Sequence, residues 1–517
     1  MREEREMIVK LVLLFVFFAV MVTVGVKSRK SATSIDGFVL GGRNVGPWLT
    51  AFAYGTSYFS AVVFVGYAGQ FGWRYGLAST WIGLGNAVIG SLLAWVVLGR
   101  RTRIMTHHLE AATMPDFFGK RFQSNALRIA ASAIVFIFLI PYTASLYNGL
   151  SRLFGMSFDI PYTVCVILMA TLTGVYVILG GYMATAINDF IQGIIMIGGI
   201  IAVIGAVLHG QGGFMEAVKS LAQLESDVPV TMGQPGAFTS FFGPDPLNLL
   251  GVIILTSLGT WGLPQMVHKF YTIKNEKAVK IGTVISTVFA VIISGGCYFL
   301  GGFGRLFDSP AIYAENGSMA FDAIIPAMLS TLPDVLIGIV VILVLSASMS
   351  TLSSLVLTSS STLTLDFIKG NIVKDLSEKK QLLIMRVLIV FFIVISVILA
   401  LDPPTFIAQL MGISWGALAG AFLAPFMYGL FWKGTTALSV WASFITGVGI
   451  TVLNMFFKFI SSPINAGAIA MIVGLIVVPV VSLITPKMDK KKVDEIFTCY
   501  DEEVQVKRKV ALPEEEA

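Results

Sequence analysis

Long apolar runs follow one another along almost the whole chain. Each is near the length of about 20 residues that an α-helix needs to cross a bilayer. We distinguish thirteen of them, at 7–26, 47–71, 77–98, 128–154, 159–181, 186–208, 246–268, 281–303, 334–361, 384–402, 405–431, 436–457 and 464–485. Only structures with a fully paired backbone span a bilayer, and these runs have the length of helices rather than of strands. The pattern therefore predicts an all-α polytopic membrane protein.

The composition agrees with this prediction. Of the 517 residues, 56% are hydrophobic and only 13% are charged, and the mean hydropathy is +0.83. Soluble globular proteins are about 25% charged, so that class is excluded and a lipid bilayer is the expected surrounding. The net charge of +5 does not indicate a nucleic-acid partner, because the basic residues follow membrane orientation. Three scattered cysteines form neither a disulfide framework nor a metal site.

The basic residues also predict the orientation, because Lys and Arg are enriched in cytoplasmic segments. With the N-terminus outside, 27 of the 35 Lys and Arg residues fall in inner segments, including the group from Lys269 to Lys280. The opposite orientation would invert this ratio. We therefore expect an outside N-terminus, a cytoplasmic C-terminus and multi-pass insertion in the plasma (inner) membrane. The first run lacks a small-residue cleavage site and is predicted to be an uncleaved span.

Two spans carry helix-breaking residues near their middle. The second reads LTAFAYGTSYFSAVVFVGYAG, and the seventh reads LLGVIILTSLGTWGLPQMVHKF. Glycine loosens a helix and proline removes an amide donor, although both residues are also frequent in ordinary membrane helices. The two spans open successive groups of five, and an odd number of spans gives the groups opposite topology. Paired interrupted helices in inverted repeats indicate a transporter with a substrate and ion site near the bilayer midplane.

The chain divides accordingly into six predicted parts. They are an extra helix and loop at 1–46, the first repeat at 47–208, an outer loop at 209–245, the second repeat at 246–433, two further helices at 434–485, and a charged tail at 486–517. The loop and the tail are too short for a catalytic or signalling domain. Function is therefore expected inside the helical bundle, and we expect no enzyme.

The ninth span is rich in hydroxyl groups. Twelve of the nineteen residues from Ser346 to Thr364 are Ser or Thr. Helical spacing places on one stripe Ala347, Ser350, Thr351, Ser354, Thr358 and Ser361. Such hydroxyls can bond back to their own helix or permit close helix packing. They can also bind a hard cation, which prefers oxygen ligands, without placing a permanent charge in lipid.

Six sequence strings, in order along these spans, resemble the sodium:solute symporter family, and most closely its proline and pantothenate permease branch. They are FVLGGRNVG, TMPDFFGKRF, LGGYMATAINDFIQG, GLPQMVHKF, ASMSTLSS and GALAGAFLAPFMYGLFWK. The resemblance implies the LeuT-like symporter bundle of five plus five helices in inverted repeats, with one helix before it and two after it. That arrangement matches the thirteen predicted spans.

The resemblance also implies ion ligands. A first sodium site would use Thr56, Phe59, Ala347, Ser350 and Thr351, through backbone carbonyls and two hydroxyls. A second sodium site, present in some members of the family, would use Asp189, Ser350, Ser353 and Ser354. Asp189 is the one carboxylate well inside the predicted spans, which is a position typical of functional groups. It can also be interpreted as a residue that caps a helix start near the cytoplasm.

A substrate pocket is implied beside the first sodium site. Its expected lining is Ser57, Tyr58, Ser60, Phe64, Tyr142, Thr256, Thr260 and Trp261. Tyr58 and Thr256 differ from the residues of proline permeases, and Val62 and Val63 differ from those of sugar transporters. No Lys or Arg is predicted at the middle of the bilayer to pair with a carboxylate, so that the amides of the broken helices would have to bind one.

We therefore expect sodium-coupled uptake of a small organic carboxylate or amino-acid-like solute by alternating access, with pantothenate as the first guess and a monomer as the working unit. A proline symporter, a sugar symporter and a transporter-like nutrient sensor stay open as alternatives.

Overall fold

The computed structural model describes residues 2–158, 161–313, 317–369, 371–373, 375–402 and 407–501. Within these ranges the chain is helical, with a few isolated β-bridges and no β-sheet. The predicted all-α class is confirmed. Most of the predicted charged tail lies outside the described residues.

The helices of the N-terminal half are α1 (Arg2–Ser28), α2 (Ile35–Leu40), α3 (Pro47–Tyr58), α4 (Ala68–Tyr75), α5 (Thr80–Gly85), α6 (Arg100–His108), α7 (Met114–Arg121), α8 (Asn125–Phe158), α9 (Tyr162–Gly210) and α10 (Phe214–Ala222). Those of the C-terminal half are α11 (Pro246–Ile253), α12 (Pro264–Tyr271), α13 (Glu276–Ala290), α14 (Gly296–Gly301), α15 (Ile324–Leu329), α16 (Asp334–Thr362), α17 (Glu378–Leu401), α18 (Ile407–Phe431), α19 (Ala437–Phe457), α20 (Pro463–Ile484) and α21 (Lys490–Phe497). Segments of π-helix continue several of them, at Val62–Tyr67, Asn86–Leu93, Trp95–Gly99, Ile254–Leu258, Val291–Gly295 and Leu363–Ile368.

Eleven helical segments in the described ranges are long and apolar enough to cross a bilayer. Two of them, Val62–His108 and Tyr162–Gly210, have 47 and 49 residues, roughly twice the length that one crossing needs. Each of them joins two of the thirteen predicted runs, which explains why the described ranges have eleven such segments and not thirteen. The number of crossings and the orientation stay predictions.

Both long segments bend sharply at one glycine with a left-handed backbone. Gly76 has φ 59° and ψ −141°, and Gly181 has φ 53° and ψ −143°. A Cβ at Gly76 would lie 2.1 Å from the Phe238 carbonyl oxygen, and one at Gly181 would lie 2.6 Å from that of Phe38. Only glycine fits such a positive φ and such a close approach without strain. These bends separate the predicted spans within each segment.

The two predicted helix interruptions are confirmed. The first span leaves helical geometry at Phe59, with φ −102° and ψ 87°, and a new helical turn follows Ser60. The second is extended at Leu263, with φ −83° and ψ 121°, and α12 then starts with Pro264 at its first position. A proline suits that position because no helical partner exists there for its missing amide. Gly55, in contrast, stays helical and serves close packing, since a Cβ there would lie 2.4 Å from the Phe289 ring.

The two breaks lie beside the most enclosed helices of the bundle. The most apolar windows of α16 and α18 are 72% and 89% buried, against 33% in both α17 and α19. α16 packs on α3, α8 and α9, and α18 packs on α8, α19 and α20. The hydroxyl-rich α16 is thus an interior helix, which accounts for a polar content that lipid contact would not permit.

Candidate functional site

The end of α3 presents a carbonyl group to α16. Because α3 ends at Tyr58, carbonyls of its last turn, including that of Thr56, can accept hydrogen bonds from neighbouring elements. The Thr56 carbonyl oxygen accepts hydrogen bonds from the Ser350 and Thr351 hydroxyls, both at 3.1 Å. Two side chains of α16 therefore hold the first broken helix at its break.

The same two hydroxyls meet a second carbonyl. Ser350 Oγ and Thr351 Oγ1 each lie 3.1 Å from the Ala347 carbonyl oxygen. All four residues are buried, with exposed fractions between 0% and 1%. The structure therefore brings together four of the five residues expected at the first sodium site. Neutral carbonyl and hydroxyl oxygens are the donors that a hard monovalent cation takes in a membrane, so these residues fit a sodium ion.

Phe59, the fifth expected ligand, lies at the C-terminal cap of α3. Its amide donates to the Gly55 carbonyl at 3.0 Å, and its ring stacks on Tyr58 with centroids 4.2 Å apart. These contacts fix its position beside the break. That its carbonyl binds an ion stays a prediction.

The surroundings of Asp189 differ from the expected second sodium site. The Lys269 ammonium lies 3.7 Å from Asp189 Oδ2 and donates a hydrogen bond of 2.9 Å to Ser354 Oγ. The other two expected ligands have different partners. Ser353 Oγ donates to the Ser350 carbonyl at 2.9 Å. Ser350 Oγ belongs with Thr351 Oγ1 and the Thr56 and Ala347 carbonyls, which we call the first oxygen cluster. The Lys269 ammonium is therefore bonded to only one of the three hydroxyls expected at the second sodium site, that of Ser354.

Two sequence interpretations are wrong here. Asp189 does not cap a helix start, because it lies eight residues beyond the Gly181 bend, inside α9, and neither carboxylate oxygen is hydrogen bonded in the described part of the chain. Lys269 does not belong to an inner loop, because it lies in α12, within a candidate span, and is 2% exposed. The predicted span ended at residue 268, and this boundary, one residue short, hid the lysine.

The expected substrate residues lie at several different places around the two breaks. The Ser57 hydroxyl lies 2.8 Å from the Ser354 hydroxyl, which is bonded to Lys269. Ser57 therefore lies with Lys269, Ser354 and Asp189. The Tyr58 hydroxyl donates to the Thr256 carbonyl at 2.5 Å and links the first broken helix directly to the second. Thr260 donates to the Gly90 carbonyl, and Trp261 donates to that of Ile89. Thr256, Thr260 and Trp261 therefore fasten the second broken helix to the segment around Gly90.

A polar residue that the sequence analysis missed organises this region. The Asn86 side-chain oxygen accepts from Thr256 at 2.9 Å and from Ser257 at 3.0 Å, and its amide donates to Ser294 at 3.0 Å. An asparagine in an apolar run is only a weak signal in the sequence. All three partners are far from Asn86 in the sequence, so only the fold shows that they meet.

Aromatic side chains pack against one another beside the two breaks. Trp415 of α18, also missed from sequence, lies 6.0 Å from Tyr142 and 6.1 Å from Tyr58 by ring centroids. Its ring is also 3.2 Å from the position of a Cβ on Gly259, which places it at the second break. The Trp415 indole nitrogen and the Tyr142 hydroxyl are buried without a hydrogen-bond partner among the described residues.

Ser60 and Phe64 lie on the other side of the first break. Ser60 Oγ accepts from the Val62 amide at 3.2 Å and so stabilises the start of the following helical turn. Ser60, Phe64 and Phe59 line a small cavity with Ala347 of the first oxygen cluster. These two expected substrate residues therefore adjoin the first oxygen cluster.

Comparisons with known proteins agree on one family. Residues 38–447 match the sodium:solute symporter family. The chain is 28% identical to a sodium/proline symporter of Staphylococcus aureus (strain JH9) over 496 residues, which cover 93% of each chain. The structure of a substrate-bound, outward-open Na⁺-coupled sialic acid symporter has a TM-score of 0.74 and 16% identity, and the match covers 93% of this chain and 99% of that one.

A second solved structure extends the likeness in fold. Mhp1, a nucleobase-cation-symport-1 family transporter in a closed conformation, has a TM-score of 0.53 and 12% identity, and the match covers 89% of this chain and 98% of that one. The family match spans well over half of the chain and includes both breaks and all of α16. The chain therefore belongs to the sodium:solute symporter family, whose coupling ion is sodium.

Proposed function

We propose that this protein carries a small organic carboxylate or amino-acid-like solute into the cell together with sodium, which binds between α3 and α16. The observation that supports the ion site is the convergence of two α16 hydroxyls on the Thr56 and Ala347 carbonyls at the first break. Only neutral oxygens meet there, and each of them has lone pairs that can bind a cation.

We place the solute next to this site, between the two breaks. The Tyr142 hydroxyl and the Trp415 indole nitrogen lie beside the breaks without a hydrogen-bond partner among the described residues, and a polar solute in the space between the breaks would satisfy them. The relatives named for proline and for sialic acid both act on compounds with a carboxylate. Tyr58 and Thr256 bond to each other at the side of this space, and we keep pantothenate as the first candidate.

The proposal includes the predicted architecture. Thirteen crossings in the plasma membrane would put the N-terminus outside and the charged tail in the cytoplasm, with residues 47–208 and 246–433 as inverted repeats. Each repeat would then begin with one of the two broken helices, and one polypeptide would contain a complete site.

Uptake by purified protein in liposomes tests the proposal. A screen of carboxylates and amino acids for sodium-dependent thermal stabilisation identifies the solute, because a bound ligand stabilises the folded state by mass action. We expect uptake of that solute to follow an imposed sodium gradient. Uptake that follows a proton gradient and ignores sodium would contradict the proposal.

The position of the solute is tested with two variants of the same helix. Tyr142→Phe removes a hydroxyl that we assign to the pocket, and we expect it to raise the KM for the solute about fivefold, the effect of a hydrogen bond of about 1 kcal/mol. Tyr147→Phe removes another buried hydroxyl of α8, five residues further along and on a different face. Equal effects of the two variants would argue against the proposed pocket.

A further inference from the structure

One lysine side chain contacts two residues of the expected second cation site, Asp189 and Ser354. The Lys269 ammonium is bonded to Ser354 Oγ at 2.9 Å and lies 3.7 Å from Asp189 Oδ2 and 5.3 Å from the centroid of the Tyr182 ring. All four residues are at most 3% exposed. A carboxylate, a hydroxyl and an aromatic face thus surround one positive charge.

The same groups do not fit an additional sodium ion. A sodium ion bound here would need the Asp189 carboxylate and the Ser354 hydroxyl, which the ammonium already contacts. Two cations beside one buried carboxylate would repel each other strongly, because the surroundings screen charge poorly. Ser353 is not among the groups that the ammonium contacts, and its hydroxyl donates to the Ser350 carbonyl of its own helix.

We propose that Lys269 is a tethered cation that takes the place of a second sodium ion, so that the protein binds a single sodium ion. This inference rests on the proposed function, because that ion is the one placed at the first oxygen cluster. Lys269 then determines how many sodium ions the protein binds. Its ammonium supplies the positive charge that Asp189 would otherwise obtain by binding a sodium ion.

The position of the lysine connects this charge with the sodium site. Lys269 belongs to α12, the second half of the second broken helix, whereas Asp189 belongs to α9 and Ser354 to α16. Ser354 Oγ also lies 2.8 Å from the hydroxyl of Ser57, the residue next to the Thr56 carbonyl. The tethered charge therefore links both broken helices within one hydrogen-bonded chain.

Counting bound sodium ions on purified protein tests the inference without a transport assay. Equilibrium binding of ²²Na⁺ should give one ion per wild-type protein with a Hill coefficient near one. Lys269→Met keeps the length of the side chain but removes its charge, and we expect it to bind two ions, because the Asp189 carboxylate then needs a cation. The double variant Lys269→Met/Asp189→Asn should return to one ion. Lys277→Met, at an exposed lysine of α13, should stay at one.

The outcomes separate this inference from the proposed function. Two ions bound to the wild type, or one bound to a folded Lys269→Met, would overturn the tethered cation and leave sodium coupling in place. No sodium bound to the wild type would overturn both. If Lys269→Met does not fold, Lys269→Gln/Asp189→Asn and Asp189→Asn provide the test: both should bind one ion, and loss of the ion from either would contradict the inference.

Discussion

Two positions one helical turn apart on α16 illustrate opposite ways of satisfying buried polar groups. At Ser350 and Thr351, hydroxyls and carbonyls meet without any charged side chain among their hydrogen-bond partners. At Ser354, the hydroxyl bonds to an ammonium that lies beside a carboxylate. The first position can receive a mobile cation from solution. The second already contains a cation that the chain provides.

The comparison teaches that hydroxyl content alone does not define an ion site. Ser353 is as buried as Ser350, yet its hydroxyl donates to the Ser350 carbonyl of its own helix and not to the Thr56 carbonyl at the first break. What distinguishes the hydroxyls of α16 is the element that each one faces: a helix break, a lysine, or its own preceding turn.

The largest effect is expected from breaking the charge pair. In sodium-free buffer, Lys269→Met should lower the free energy of unfolding by about 3 to 5 kcal/mol, because it leaves a buried carboxylate unpaired. Thermal unfolding of the purified variant measures this, and Lys269→Met/Asp189→Asn should recover most of the loss. If Lys269→Met alone were as stable as wild type, the pair of Lys269 and Asp189 would contribute no net stability. The positions at Ser350 and Ser354 would then differ less than described.

A smaller effect is expected at the first position. Thr351→Val and Ser350→Ala each remove one hydroxyl from the oxygen cluster, and a hydrogen bond to a charged group contributes about 1.5 to 3 kcal/mol. The half-saturating sodium concentration for uptake should therefore rise roughly ten- to hundredfold. Ser353→Ala, the matched control, should change it less than twofold. If all three variants behaved alike, the distinction between the hydroxyls of α16 would not hold.

The smallest effect is expected from a variant that touches neither position. Tyr58→Phe removes the hydrogen bond between the two broken helices, with an expected cost of about 1 kcal/mol. Solute uptake should weaken about fivefold, while the half-saturating sodium concentration stays within a factor of two. A larger change in the sodium dependence than in the solute dependence would mean that Tyr58 belongs to the ion site.

Much of the fold could be predicted from sequence because its signals are local. Apolar runs mark the spans, and the glycines and Pro264 mark the two breaks within one to four residues. Helical spacing puts Ser350 and Thr351 on one face of α16 together with four other residues, and the family resemblance selected these two as expected sodium ligands. The family resemblance, confirmed by the match over residues 38–447, supplied the partner carbonyls.

The rest depends on contacts that sequence spacing does not encode. Lys269 looked like the first residue of a basic loop, and its partner Asp189 is distant in the chain. Asn86 and Trp415 are ordinary residues of apolar runs until the fold brings the π-helical segments Asn86–Leu93 and Ile254–Leu258 together with α18 around the breaks. The two long bent segments also show that two predicted spans can follow each other with only a bend at one glycine between them.

The most direct test of the single sodium site compares two variants by the number of sodium ions bound at saturation. Ser350→Ala/Thr351→Val removes both proposed side-chain ligands of the first position, and Asp189→Asn removes the carboxylate of the second. We predict that the first variant binds no sodium at concentrations that saturate the wild type, while Asp189→Asn still binds one ion. Retention of the ion by the first variant and its loss from Asp189→Asn would place sodium at the second position and contradict the account.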